Sequence, residues 1–213
     1  MSSIADIRKD YSLKVLDEAD LHKDAIQQFE KWWQEALLSE IEEVNAMTLA
    51  TATANGKPSA RIVLLKGFNE NGFVFFSNYH SHKGSQIEDN PFVSLVFFWK
   101  ELERQVRIEG GITKIVEEES DVYFNSRPIS SRIGAWASPQ SKVIASRKVI
   151  EENVAELEKS FDGKDIDRPP HWGGYLVKPV LVEFWQGRAS RLHDRIQYTA
   201  IADKGWKIER LAP

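Results

Sequence analysis

Met47-Thr-Leu-Ala-Thr-Ala-Thr-Ala54 is followed by Asn55-Gly56 and then by Ser59-Ala-Arg-Ile-Val-Leu-Leu-Lys66. Two β-prone runs joined through Asn-Gly predict a hairpin, because the tight turn needs positive φ at its central residues. A second such pair, Asn71-Gly72, precedes Phe73-Val-Phe-Phe-Ser77. Strands are further expected over Phe92–Trp99, Arg104–Val116, Leu176–Trp185, Arg191–Ala200 and Trp206–Leu211, with Lys204-Gly205 as the last turn. Runs of strand broken by short turns build antiparallel sheets.

Helices fill the gaps. Asp24 followed by Gln27 has the form of a capping box. Ile26, Phe29, Trp33 and Leu37 then recur at helical spacing, which predicts a helix from Asp24 to Ser39. Ser81–Asn90 has helical character and stops at Pro91. Glu117–Ser126 reads as a short helix ended by Arg127-Pro128, since proline disfavours the helical state in the residue before it. Ser146–Phe161 carries Ile150, Val154, Leu157 and Phe161 on one stripe, and residues 162–174, with Pro169 and Pro170, read as a loop. The fold class is α+β, a mainly antiparallel barrel or sheet with peripheral helices. Residues 1–23 look like a partly flexible arm, and 24–213 like one domain.

Composition narrows the functions. The net charge is −4, so nothing in the overall field favours nucleic acid. The chain has no cysteine, which excludes disulfides, thiol nucleophiles and cysteine-ligated metals. No signal peptide is visible, and no run approaches the ~18 apolar residues of a membrane span, so a cytoplasmic location is expected. His80 and His82 alone make a weak metal site, and no metal is expected. Dinucleotide, P-loop and nucleophile-elbow motifs are absent. Seven Trp, eleven Phe and five Tyr could fill a core, a subunit interface or the walls of a flat-cofactor site.

Several segments concentrate cations and hydroxyls. On a regular strand Arg191, His193 and Arg195 share one face, and three potential cations in a row call for an anion or an electron-rich ring opposite. The plainer reading is a solvated face balanced by carboxylates such as Asp194 or Glu209. Arg61 and Lys66 bracket an apolar strand, five positions apart and so on opposite faces. Either a bulge brings both to one ligand or they meet different ones. Ser77 to Lys83 offers hydroxyls, His82 and Lys83 at a helix start, where backbone N–H groups favour an anion. Gln105 and Arg107 share a strand face. Tyr123 and Arg127 share a helix face, with Ser131 just beyond Pro128.

Taken together, these segments resemble the pyridoxine (pyridoxamine) 5′-phosphate oxidase family. The resemblance rests on Arg61-Ile-Val-Leu-Leu-Lys66, Leu102-Glu-Arg-Gln-Val106, Ser126-Arg-Pro128, Ile133-Gly-Ala-Trp136, Gln140-Ser141, Glu183-Phe-Trp-Gln-Gly187, Arg191-Leu-His-Asp-Arg195 and Trp206-Lys-Ile-Glu-Arg-Leu-Ala-Pro213. Eight matches in order cover essentially the whole chain. The resemblance implies an FMN-binding split β-barrel, Greek-key-like, and a homodimer with FMN at the subunit interface. It further implies oxidation of a phosphorylated B6 vitamer by O2.

Carried over by residue, Arg61, Ile62, Val63, Leu64, Leu65 and Lys66 would line FMN. Phe76, Ser77, His82 and Lys83 would hold its phosphate end, and Gln105, Gln140, Ser141, Trp185 and Arg195 would complete the cofactor site. Lys66, Tyr123, Arg127 and Ser131 would take the substrate phosphate, with Arg191 and His193 as catalytic residues against the pyridine ring. One departure stands out. The family usually has Ser-Arg-Lys where this chain has Ser81-His82-Lys83, and imidazole is a weaker, pH-dependent phosphate partner. Arg8-Lys9-Asp10-Tyr11 matches the family's basic arm only loosely. The rival readings are a flavin reductase or flavin store, a pyridoxal-phosphate carrier, and an RNA-binding small barrel. The substrate-side set, Tyr123, Arg127, Ser131, Arg191 and His193, separates an oxidase from a mere flavin carrier.

Overall fold

The structure is a computed structural model that describes residues 3–6, 10–202 and 205–213. Arg8, Lys9 and Lys204 of the expected arm and last turn therefore lie outside the described residues. Nine strands form one antiparallel sheet: β1 (Ala46–Ala52), β2 (Pro58–Leu64), β3 (Gly67–Asn69), β4 (Gly72–Asn78), β5 (Phe92–Trp99), β6 (Arg104–Lys114), β7 (Trp172–Gln186), β8 (Asp194–Ile201) and β9 (Gly205–Leu211). Their order is β2-β1-β5-β6-β7-β4-β3, with β8 and β9 continuing from β7.

The Asn55-Gly56 hairpin forms as expected, Ala46 opposite Leu64 and Ala52 opposite Pro58. Gly56 and Gly72 both take positive φ, at 82° and 137°. The 15-residue β7 is the spine. Along one edge it pairs with β6. Along the other it pairs first with β4, over Trp172–Val177, and then with β8, over Leu181–Gln186. That division of one edge between two partners splits the barrel.

Helix α1 (Ala25–Leu37) is capped by Asp24, whose carboxylate accepts from the backbone N–H of Ile26 and Gln27. The face it buries is turned from the expected stripe: Ala25, Gln28, Phe29, Trp32 and Ala36 are buried, while Leu37 is 52% exposed. The Phe29 ring lies 4.9 Å from both Phe68 and Phe73 and 5.3 Å from Phe97, joining α1 to the sheet. Aromatic contacts of this kind add to what area burial already contributes.

Helices α2 (His82–Asp89), α3 (Glu117–Ser126) and α5 (Lys148–Ser160) fall where the periodicity places them. Helix α4 (Ile129–Ala137) was not expected. It begins directly after Pro128, and proline is well suited to a helix start because its missing N–H is one a helix leaves unused there. Strand β7 starts at Trp172, inside the expected loop. Gly173 and Gly174 are strand residues because the neighbours come close: a Cβ at Gly173 would run into the Tyr79 hydroxyl, and one at Gly174 into Ile115.

Candidate active site

Strands β2 and β4 lie toward opposite ends of the sheet order, and a cavity of about 520 Å³ opens between them. Ile62, Val63 and Leu64 form one wall, Phe76 and Ser77 the other. Lys66, Lys83 and Gln140 bring polar groups, and α3 and α4 contribute Tyr123, Arg127 and Ser131. One cavity thus gathers the expected substrate-phosphate set with much of the expected cofactor set. Asn78, Pro128 and Trp172 also line it and were not anticipated. Trp172 follows a loop signal, which hid its place in a strand.

Three rings stack along one side. Phe76 lies 3.9 Å from Tyr123 and 5.5 Å from Trp172, with interplanar angles of 20° and 15°. The Arg127 guanidinium sits 4.6 Å over the Trp172 ring. Its Nη1 is buried with no hydrogen-bond partner among the described residues. A buried charged donor left unpaired costs free energy that an anion would recover.

Lys83 makes the same demand. Its Nζ donates to Gln140 Oε1 at 2.7 Å and Ser81 Oγ at 3.2 Å, with no carboxylate to balance it in those bonds. Burial, and then the nearby Arg61 guanidinium, lower its pKa to about 8. Because the folded value lies below the ordinary 10.5, the unfolded chain holds this proton more tightly. Stability therefore rises with pH between about 8 and 10.5 in the empty protein. An adjacent phosphate reverses that preference. Affinity for FMN, followed by quenching of flavin fluorescence, is expected to fall several-fold from about pH 7 to about pH 9, and Lys83→Met to flatten the profile. An unchanged affinity across that range in the parent protein would remove Lys83 from the phosphate site.

Several expected residues stand elsewhere. Arg61 does not line this cavity; its guanidinium donates to Thr51 Oγ1 at 2.6 Å and Leu49 O at 3.2 Å, behind β2, close enough to act on Lys83. The conflict over Arg61 and Lys66 resolves because β2 ends at Leu64. Leu65 N–H donates to Asn45 O and Lys66 N–H to Val74 O, so the chain has left the strand before Lys66. Leu65 is 4% exposed and belongs to the core. His82 is exposed in the first turn of α2, outside the cavity lining. Ser141 is exposed next to Gln140 with φ +69°.

The remaining set forms a second group. Gln105 on β6, Trp185 on β7 and Arg195 on β8 are direct cross-strand partners in one row. The single strand face expected for Arg191, His193 and Arg195 is not what forms. Residues 189–191 make a 3-10 turn, with Ser190 and Arg191 at φ 57° and 62°, and β8 begins only at Asp194. Positive φ there carries no glycine to announce it.

Arg191 is exposed, and His193 packs 4.5 Å from the Trp185 ring. His193 Nδ1 accepts from the Arg188 backbone N–H at 3.1 Å. Burial, and then Arg191, lower the imidazole pKa, so the ring is neutral near pH 7 and its proton sits on Nε2. Tyr11 adds an unexpected contact, its ring 5.8 Å from Trp185 and 6.0 Å from His193. Ser12 and Leu13 N–H, donating to Glu103, hold that segment in place.

The architecture is shared with solved structures. The chain aligns with PhzG from Burkholderia lata, solved in complex with tetrahydrophenazine-1-carboxylic acid, at TM-score 0.88 and 29% identity, over 95% of this chain and all of that one. It aligns with a pyridoxamine 5′-phosphate oxidase-related, FMN binding protein from Nostoc punctiforme at TM-score 0.70 and 20% identity, over 87% of this chain and 97% of that one. The class is therefore the split-barrel fold of FMN-binding proteins. Residues 33–161 match the family described as pyridoxamine 5′-phosphate oxidase, and residues 172–213 the pyridoxine 5′-phosphate oxidase C-terminal dimerisation region. Proteins named pyridoxine/pyridoxamine 5′-phosphate oxidase from Trichormus variabilis and Paraburkholderia phymatum are 54% and 56% identical, over 99% and 100% of both chains. This chain belongs to the pyridoxamine 5′-phosphate oxidase family.

Proposed function

We propose that the protein is an FMN-dependent oxidase that converts pyridoxine 5′-phosphate or pyridoxamine 5′-phosphate to pyridoxal 5′-phosphate. It works as a cytoplasmic homodimer with FMN at the subunit interface. O2 accepts the two electrons and two protons as H2O2; the amine consumes one water and also releases NH3. The observation that carries this reading is the cavity between β2 and β4, where Lys66, Lys83 and the unpaired Nη1 of Arg127 face a three-ring wall. Such a site fits flat, phosphorylated molecules.

FMN, when bound, supplies the redox chemistry. The chain supplies binding and orientation. Lys83, Ser77 and Gln140 suit the cofactor phosphate, and Ile62, Val63, Leu64 and Phe76 its apolar body, with Arg61 tuning Lys83 from behind. Lys66, Tyr123, Arg127 and Ser131 hold the substrate phosphate, a remote handle whose binding energy fixes the ring. The Gln105, Trp185 and Arg195 row and the Arg191–His193 pair complete the site from the partner subunit.

The length of β7 supports that division. Trp172 belongs to the cavity and Trp185 to the row, and thirteen strand steps between them cover roughly 40 Å of contour. A flavin mononucleotide is much shorter than that contour, which supports the cavity and the row meeting one cofactor from different chains. No helix among the described residues is long and apolar enough to cross a membrane.

The test is optical. Protein loaded with FMN is expected to show flavin absorbance that bleaches when pyridoxine 5′-phosphate is added without oxygen and returns on aeration. A preparation that takes up FMN yet keeps its colour with both the alcohol and the amine is a flavin carrier, and the oxidase reading fails.

A further inference from the structure

Glu183 is a carboxylate on the outer face of the sheet, yet it is only 2% exposed. Two guanidinium groups cover it. Arg107 Nη2 donates to one oxygen at 2.6 Å and Arg195 Nε to the other at 2.7 Å. Register explains the meeting: Arg107 is the cross-strand partner of Glu183, while Arg195 stands one pleat along, opposite Trp185. Burial opposes the negative charge, but the hydrogen bonds from Arg195 and Arg107 outweigh it and hold the pKa below the usual carboxylate range. Arg107 is itself held by Glu109. On the far side, Arg195 Nη1 donates to the Ala212 carbonyl at 3.0 Å.

Two of the three nitrogens of Arg195 are thereby fixed, and the planar group is locked in one orientation. An arginine free to rotate would have to give up that freedom each time a ligand binds. One already clamped would not.

We propose that Glu183 is a positioning residue that presets the Arg195 guanidinium for the cofactor, with Arg107 anchoring the carboxylate from the opposite side. The inference rests on the reading that Arg195 meets FMN. On this reading Glu183, whose carboxylate oxygens are taken up by Arg107 and Arg195, acts on the cofactor only through Arg195.

A double-mutant cycle on the full-length dimer tests this, with apoprotein titrated by FMN and followed through flavin fluorescence. Glu183→Gln keeps the shape and removes the charge; it is expected to weaken FMN binding about tenfold. In an Arg195→Ala background the same substitution is expected to change FMN affinity less than about twofold, because nothing remains to be positioned. Arg107→Met gives a second route that leaves Glu183 intact, with a smaller loss that again vanishes in the Arg195→Ala background.

Equal losses in both backgrounds would mean that Glu183 acts on the fold at large, and would overturn the proposal. So would unchanged affinity in Glu183→Gln when Arg195→Ala alone weakens binding. If Arg195→Ala leaves FMN affinity intact, the cofactor role of Arg195 fails first and the positioning role falls with it.

Discussion

His193→Ala is expected to lower kcat on the order of 10²-fold while changing FMN affinity far less. The imidazole sits against Trp185 with Nδ1 occupied by the Arg188 N–H, which leaves Nε2–H as its free polar group. On the proposed reading, a neutral ring in that tautomer would donate a hydrogen bond to the substrate oxygen or nitrogen and keep the reacting carbon in place. Its lowered pKa follows from burial and then from the Arg191 charge, so the neutral form persists to a lower pH than for an ordinary histidine. Protonation would break the bond from Arg188. Turnover is therefore expected to decline on the acid side, below the usual imidazole range, and that limb should disappear in the variant. Equal losses of turnover and FMN binding would instead make His193 a structural support for Trp185.

Arg127→Ala is expected to raise the substrate KM roughly 10- to 100-fold, since a charge-assisted hydrogen bond contributes about 1.5–3 kcal/mol. The structure adds a reason to expect the upper part of that range. Arg127 is stacked on Trp172, which holds the group before any ligand binds, and its Nη1 is buried and unpaired, ready to donate to an anion. Removing it takes away an unpaired buried donor as well. The variant should for that reason fold at least as stably as the parent in the absence of ligand. Unchanged KM would place the substrate phosphate elsewhere.

The parts of this molecule readable from sequence are those where local chemistry and tertiary structure agree. Asn55-Gly56 and Asn71-Gly72 announce turns, and both turns form, with positive φ at the two glycines while the asparagines keep ordinary φ. Helix α3 ends where Pro128 requires it to. The cavity set is legible through motif resemblance, which groups Lys66, Tyr123, Arg127 and Ser131 as the cavity does. What escaped was set by long-range packing. Alternation placed Arg191 on a strand, whereas the chain turns through positive φ at Ser190 and Arg191, where no glycine marks the bend. Gly173 and Gly174 looked like a loop but serve close packing in β7. Glu183 and Arg107, 76 positions apart, could be paired only once the register of β6 on β7 was known.

The claim that two chains build each site has a direct test in subunit complementation. Arg127→Ala and His193→Ala dimers, assayed well below the wild-type KM where the raised KM of the first and the lowered kcat of the second each leave little activity, are dissociated, mixed and reassociated. If Arg127 of one protomer works with His193 of the other, every mixed dimer holds one site with both defects and one with neither. Activity should then return to about half the wild-type value per mixed dimer. Activity no greater than that of the parent variants would contradict the account, because it would put both residues of a site on the same chain.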